Sequence, residues 1–173
     1  MAVIACFTIP AHADSEKAIK VVTENGVTLT LTEIEYGAIA VKSGGEKQQY
    51  GVDDFGSPIY QYQSRELEFD GKSRLPSVIG GSFGIRFRLP TIPENDRVVL
   101  DVETILPDEV LINGDMIDKT IDSVILTPES SGSRKSIHWT LYPDNTAFHQ
   151  TGSWQIILHN ADSRVYQKKL QLY

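Results

Sequence analysis

At 173 residues the chain has the length of one domain with a sizeable core. Its 40% hydrophobic and 23% charged residues are ordinary for a globular protein, which disfavours a disordered or membrane-embedded class. A formal net charge of -7 would repel a phosphate backbone, so nucleic acid is not an expected partner.

The N-terminus, residues 1–13, has the character of a secretory signal peptide. Residues 1–10 are largely apolar, and Ala11-His12-Ala13 offers the small-x-small pattern after which signal peptidases cut. No Lys or Arg precedes this site, so either the true start lies upstream of Met1 or the segment is not a signal peptide. The polar stretch that follows favours export, and the expected mature domain is residues 14–173, periplasmic or secreted.

Cys6 is the sole cysteine of the chain. After cleavage at Ala13 the mature protein would have none, and it could form no disulfide bond. Val3-Ile4-Ala5-Cys6 also resembles a lipoprotein cleavage site, in which case Cys6 would carry a lipid anchor. No later segment approaches the roughly 20 consecutive apolar residues of a membrane span, so no span is expected.

Alternation of apolar and polar residues predicts strands in the first half of the chain. Asn25-Gly26 predicts a hairpin turn between residues 18–23 and the alternating strand that begins at Val27. The alternation changes phase near Thr32-Glu33, which predicts a β-bulge or a strand break. Over about residues 43–68 the periodicity is lost, and we expect an irregular insertion there.

The second half of the chain is predicted to be strands separated by turns. Pro107-Asp108 should interrupt one of them. The alternating stretches are 83–89, 98–102, 121–125, 137–141, 154–158 and 165–172. With no helical crossovers, these short strands predict an all-β fold, an antiparallel two-sheet sandwich.

Two pairs of carboxylates are candidates for catalysis. Glu33 and Glu35 could share one strand face, as could Asp101 and Glu103, at about 6–7 Å along the strand. Glycoside hydrolysis uses two carboxylates at about this separation, so a glycan-acting hydrolase is the alternative function. Exposed sheet faces commonly carry such pairs, and an ordinary surface is the simpler interpretation.

Metal and cofactor sites are not expected. Asn113-Gly114-Asp115 with Asp118 is rich in oxygen but lacks the further acidic ligands of a closed calcium loop. The mature chain has no cysteine, and although Gly80-Gly81-Ser82-Phe83-Gly84 has the letters Gly-x-Ser-x-Gly, no helix is predicted after it to form a nucleophile elbow, so no nucleophile stands out. The three histidines after residue 13 match no short zinc-binding pattern; they are His138, His149 and His159.

Aromatic residues cluster in the stretch predicted to be irregular, at Tyr50, Phe55, Tyr60 and Tyr62. Exposed aromatics on loops above a rigid β-scaffold commonly form binding surfaces. In the alternative arrangement the segment folds back and buries these side chains as a satellite core. We take the four residues as the candidate binding residues.

Three motifs occur in a characteristic order. They are Ile34-Glu35-Tyr36-Gly37, Arg74-Leu75-Pro76 leading through Gly81 to Phe83-Gly84-Ile85-Arg86-Phe87-Arg88-Leu89, and Gly152-Ser153-Trp154-Gln155-Ile156. Together they resemble an uncharacterised family of small, often exported bacterial domains of unknown function, over about residues 30–173. The resemblance implies an immunoglobulin-like sandwich, in which 43–68 is expanded. It implies no activity, cofactor or catalytic residue.

The leading functional hypothesis is a non-enzymatic binding module of the bacterial cell envelope. Its partner would be a protein or a glycan of the envelope, bound through loops or through an exposed strand edge. The hypothesis depends on the aromatic cluster and on the lack of a recognisable catalytic constellation in the sequence.

Overall fold

A computed structural model describes the backbone of residues 18–52, 58–112, 115–141 and 150–173, and their side chains except those of 41–66 and 112. This part of the chain contains no helix with the length and apolar character of a membrane span. The strands are β1 (Ile19–Val22), β2 (Thr28–Val52), β3 (Pro58–Phe69), β4 (Arg74–Leu75), β5 (Ser82–Arg88), β6 (Val98–Ile112), β7 (Asp115–Leu126), β8 (Arg134–Thr140), β9 (Gly152–Asn160) and β10 (Ser163–Leu172), with a 3-10 helix at Pro128–Ser130.

The strands form two sheets. The first has the order β1-β2-β5-β8, with β3 also paired to β2, and the second has the order β4-β10-β9-β6-β7. Among the described strands, all pairs are antiparallel except β10 with β4, which are parallel. The predicted all-β, two-sheet sandwich is confirmed.

The predicted hairpin and bulge in the first half of the chain are both present. β1 and β2 pair from Ile19↔Leu31 to Val22↔Thr28, so the turn contains Asn25-Gly26. Between β2 and β5 the register shifts within Thr32–Glu35, and Glu33 has a φ of 48°. A residue in the left-handed region is typical of a bulge, which explains why the alternation changes phase there.

The stretch 43–68 is more regular than the sequence pattern predicts. β2 continues to Val52 and β3 begins at Pro58, and the two strands pair antiparallel from Ile39↔Phe69 to Val52↔Pro58. The register shifts between Gly44 and Lys47 and between Gln49 and Gly51. Polar, glycine-rich strands can pair through their backbones while specifying register weakly, so pairing occurs here without apolar alternation.

The interruption predicted at Pro107-Asp108 is a change of register. β6 continues to Ile112, and its pairing with β7 shifts between Ile105 and Val110. Proline cannot donate a ladder hydrogen bond and is therefore found at such irregular positions in strands.

Aromatic side chains fill the space between the sheets. Trp154 is 0% exposed; its ring lies 5.2 Å from Phe83 in an edge-to-face contact and 5.7 Å from Trp139. A Cβ at Gly84 would collide with the carbonyl oxygen of Ile137, so glycine is required for the close approach of β5 and β8. Phe83 and Trp154 belong to motifs noted in the sequence, which therefore serve the core.

One end of the sandwich, where β1, β6 and β9 meet, is closed by a buried amide. Asn160, 6% exposed, accepts a hydrogen bond from Val22 N at 2.6 Å and donates to Val22 O and Val99 O, both at 3.0 Å. Asp96 Oδ1 accepts from the backbone N–H groups of Asn25 and Arg97 in the adjacent turns. Side chains thus satisfy backbone groups that the sheets leave unpaired.

Candidate functional site

The four candidate aromatic residues lie in or beside the β2–β3 hairpin. Tyr50 is in β2, while Tyr60 and Tyr62 are in β3, opposite Gln49 and Lys47. Phe55 lies outside the described residues. The described structure gives no side-chain positions for the other three, so their role in binding stays a prediction.

The first carboxylate pair is held by arginines on the outer face of the first sheet. Glu33 accepts from Arg88 Nε at 2.6 Å and from Arg134 Nη2 at 2.9 Å, and Glu35 accepts from Arg86 Nε at 2.7 Å. Hydrogen bonds from Arg88, and then from Arg134, lower the pKa of Glu33 below its usual value. The general acid of a glycoside hydrolase requires a raised pKa, which is the opposite shift.

The second pair, Asp101 and Glu103, lies on the outer face of the other sheet. Glu103 contacts Lys119 Nζ at 3.0 Å and His159 Nε2 at 3.1 Å. These hydrogen bonds, from Lys119 first, lower the pKa of Glu103. Asp101 accepts a hydrogen bond from Ser123 Oγ at 2.6 Å. Both pairs are therefore parts of polar networks on the sheet surface.

The histidines do not assemble. His138 is on β8 and His159 on β9, in different sheets, and His149 lies outside the described residues. Among the described side chains, no group of three or more His, Cys, Asp or Glu has an arrangement that could hold a metal ion. Asp115 and Asp118 lie on β7, while residues 113 and 114 are outside the described part of the chain.

A long and exposed edge strand, β7, ends the second sheet. Within the described part of the chain it pairs with β6 alone. Ile121 is 62% exposed and Ile125 54% exposed. Asp122 and Val124 pair with buried residues of β6 and therefore lie on the inner face of the sheet. Because successive side chains of a strand alternate between faces, Ile121 and Ile125 lie on the outer face. Leu111 and Met116, a cross-strand pair near the end of the β6–β7 hairpin, are also exposed.

Charged side chains accompany these aliphatic residues. β7 carries Asp115, Asp118 and Asp122 together with one cation, Lys119, which is paired to Glu103. Asp122 also lines a groove of about 370 Å³ between β7 and β8, which it shares with Lys135. The edge of the second sheet is therefore both aliphatic and acidic.

A concavity of about 620 Å³ lies on the outer face of the first sheet beside the base of the β2–β3 hairpin. We call it the Arg86 concavity; it is lined by Glu35, Ala40, Leu67, Phe69 and Arg86, among others. Arg86, with its side chain 8% exposed, donates to Glu35 and to Leu67 O at 2.6 Å. Its guanidinium carbon lies 5.0 Å from the centre of the Phe69 ring.

Neither surface was singled out by the sequence analysis. The signal for the Arg86 concavity was the alternation of Arg86 and Arg88 on one strand with Glu33 and Glu35 on another. Their pairing depends on the register across the bulge, which the sequence pattern does not specify. For β7, a sequence cannot distinguish an edge strand from a central one when its apolar residues fall on both faces.

No protein-family model matches the chain, and no curated protein sequence matches it. Among solved structures, an immunoglobulin-like protein from Pseudomonas aeruginosa aligns with a TM-score of 0.55 and 18% identity, covering 81% of this chain and 91% of that chain. Two other structures align more weakly. Alkylpurine DNA glycosylase from Pseudomonas fluorescens has a TM-score of 0.32 and 12% identity, covering 58% of this chain and 27% of that chain. β-D-Glucoside glucohydrolase from Trichoderma reesei has a TM-score of 0.29 and 13% identity, covering 85% of this chain and 20% of that chain. The sandwich is immunoglobulin-like.

Proposed function

We propose that the protein is an exported, non-enzymatic binding module of the bacterial cell envelope that docks an extended segment of a partner protein along β7. The observation that carries the proposal is the exposure of Ile121 and Ile125 beside an edge that pairs only with β6 among the described strands. An edge strand offers backbone donors and acceptors to a new strand, and neighbouring side chains select its sequence.

The charges on β7 favour a basic segment over a second copy of this chain. A second copy would bring Asp115, Asp118 and Asp122 close to the same three residues, with Lys119 already paired to Glu103. Aspartates on an edge strand are a known means of preventing self-pairing. A partner strand that alternates aliphatic residues with Lys or Arg would pack on Ile121 and Ile125 and pair with the carboxylates.

The non-enzymatic part of the proposal is supported by the lowered pKa values of two of the candidate carboxylates. Ion pairs lower the pKa of Glu33 and of Glu103, which disfavours the protonated form that a hydrolase would need as its acid. No observation in the structure favours the alternative, a glycan-acting hydrolase.

The export part of the proposal is supported by the apolar N-terminal stretch and by Ala11-His12-Ala13. Sequencing the N-terminus of the protein purified from its native host tests it. We expect Asp14 to be the first residue, in protein recovered from the periplasm or the medium. Protein that begins at Met1 would contradict export, and a lipid on Cys6 would replace cleavage at Ala13 by lipid anchoring.

The docking part is tested with a synthetic peptide of about ten residues in which valine alternates with lysine. Calorimetric titration should show saturable binding. The double variant Ile121→Ser/Ile125→Ser should weaken it at least about tenfold, because the variant removes aliphatic contact at the edge and preserves charge.

Two controls make this experiment specific. Val78→Ser/Ile79→Ser removes two exposed aliphatic side chains elsewhere on the surface and should leave the affinity unchanged. A peptide of the same sequence with alternate backbone nitrogens methylated should not bind, because it cannot pair with a strand edge. Equal binding of the methylated peptide would show charge attraction alone and would refute strand addition.

A further inference from the structure

The Arg86 concavity has a polar pair that is fixed by the fold. Arg86 is held by Glu35 Oε2 at 2.7 Å, by Leu67 O at 2.6 Å and by the ring of Phe69. Glu35 and Arg86 lie directly opposite each other on β2 and β5. Since three contacts restrain one guanidinium, a ligand that binds it loses little conformational entropy in ordering the site.

Each member of this pair keeps unused hydrogen-bonding capacity. Arg86 uses Nε and Nη1 in its bonds, and Glu35 uses Oε2, so Arg86 Nη2 and Glu35 Oε1 have no partner among the described residues. The side chain of Glu35 is 37% exposed and that of Arg86 is 8% exposed, and both line the concavity. The concavity thus presents a charged donor beside a charged acceptor.

The rim of the concavity is also fixed by hydrogen bonds. Asp70 Oδ1 accepts from the backbone N–H groups of Ala38 and Lys72, both at 3.0 Å. A Cβ at Gly37 would collide with this carboxylate, and Gly37 has a φ of 118°, so glycine permits the close approach. The strand that carries Glu35 is therefore tied to the end of the hairpin that carries Phe69.

The charge of the lining argues against an anionic ligand. The lining contains Arg86 and Arg134 and three carboxylates, those of Glu35, Glu68 and Asp70. Arg134 is in addition paired with Glu33. The positive charges are thus balanced or exceeded, and a phosphate, sulfate or carboxylate would meet no net attraction.

We propose that the Arg86 concavity binds a neutral carbohydrate. Adjacent hydroxyls of a sugar can accept from Arg86 Nη2 and donate to Glu35 Oε1 at the same time, since each hydroxyl is both donor and acceptor. Ile39, Leu67 and Phe69, which the strand register places on the same face as Glu35 and Arg86, supply apolar wall for the C–H face of the ring. This site is separate from β7 and does not depend on the docking of a partner strand there.

The test is calorimetric titration of the folded protein with neutral oligosaccharides, namely chitotetraose, cellotetraose and maltotetraose, and with an acidic oligogalacturonide. We expect saturable binding of at least one neutral sugar. Glu35→Gln should weaken it at least about tenfold, because its amide presents a donor where the sugar hydroxyl needs an acceptor. Leu67→Ala should also weaken it, by removing apolar wall from the concavity while keeping the backbone oxygen that binds Arg86 and leaving the Arg86–Glu35 pair intact.

Matched controls separate this site from the rest of the molecule. Glu103→Gln makes the same chemical change on the other sheet, and Ile121→Ser alters β7; both should keep wild-type affinity for the sugar. The proposal is overturned if the folded protein binds none of the neutral sugars at about 10 mM, if it prefers the oligogalacturonide, or if Leu67→Ala binds as wild type does. None of these outcomes bears on peptide binding at β7.

Discussion

The end of the sandwich at Asn160 and the edge at β7 use polar groups in opposite ways. At Asn160, one buried amide satisfies three backbone groups on β1 and β6. Along β7, the edge pairs with no described strand other than β6, and Ile121 and Ile125 are exposed beside aspartates. The first region keeps the two sheets together, and the second leaves a surface that another chain could complete.

The difference indicates where the chain can change without loss of the fold. A substitution of Asn160, at the closed end of the sandwich, leaves backbone groups without hydrogen-bond partners, which lowers stability. A substitution on the outer face of β7 changes only side chains that are in contact with solvent, so its effect should fall on binding. Four predictions test this division, from the largest expected effect to the smallest.

Asn160→Ala should lower the free energy of unfolding by about 2–4 kcal/mol, because Val22 N, Val22 O and Val99 O lose their side-chain partner in a buried site. Urea denaturation followed by tryptophan fluorescence measures the change. Gln167→Ala, which removes an exposed amide, is the matched control and should stay within about 0.5 kcal/mol of wild type. A small effect of Asn160→Ala would show that the end is closed by other contacts.

Thr104→Val should cost about 1 kcal/mol. Thr104 Oγ1 accepts a hydrogen bond from the indole N–H of Trp139 at 3.2 Å and so connects β6 to β8 near the β7 edge. Thr104→Ser keeps the hydroxyl and serves as the control in the same denaturation experiment. If valine proves neutral, the hydrogen bond does not contribute to holding the sheets together at this edge.

Glu33→Gln should change the pH dependence of stability. Hydrogen bonds from Arg88 and Arg134 lower the folded-state pKa of Glu33 below the 4.5 of a glutamate in an unfolded chain. The stabilisation is therefore complete above that unfolded value and is lost as the pH falls through the folded pKa. The urea midpoints of wild type and variant should differ near neutral pH and converge in acid. A difference that is constant with pH would mean that the charge of Glu33 is not involved.

Ile121→Ser/Ile125→Ser should leave the free energy of unfolding within about 0.5 kcal/mol of wild type, since both side chains are exposed. The same variant should lose peptide binding. Urea denaturation of the unbound protein decides the first point. A loss of several kcal/mol would show that these residues serve the fold, and β7 would then be an ordinary edge strand.

The sequence was sufficient for the parts of the fold that depend on local pattern. Asn25-Gly26 predicted its hairpin, the change of phase at Thr32-Glu33 predicted its bulge, and the alternation over 154–158 predicted the strand that carries Trp154. The strands of 43–68 could not be predicted, because backbone pairing there requires no alternation. The Arg86–Glu35 pair could not be predicted either, since it depends on the register of two strands about fifty residues apart in the sequence.

The most direct test of the account is hydrogen exchange at the backbone amides of β7, measured with and without the valine–lysine peptide. If the peptide adds as a strand, alternate amides between Asp115 and Leu126 should gain protection on binding, while those of Val22 and Val99 at the closed end should not change. Binding without new protection in β7 would contradict the central claim, because the partner would then occupy some other surface.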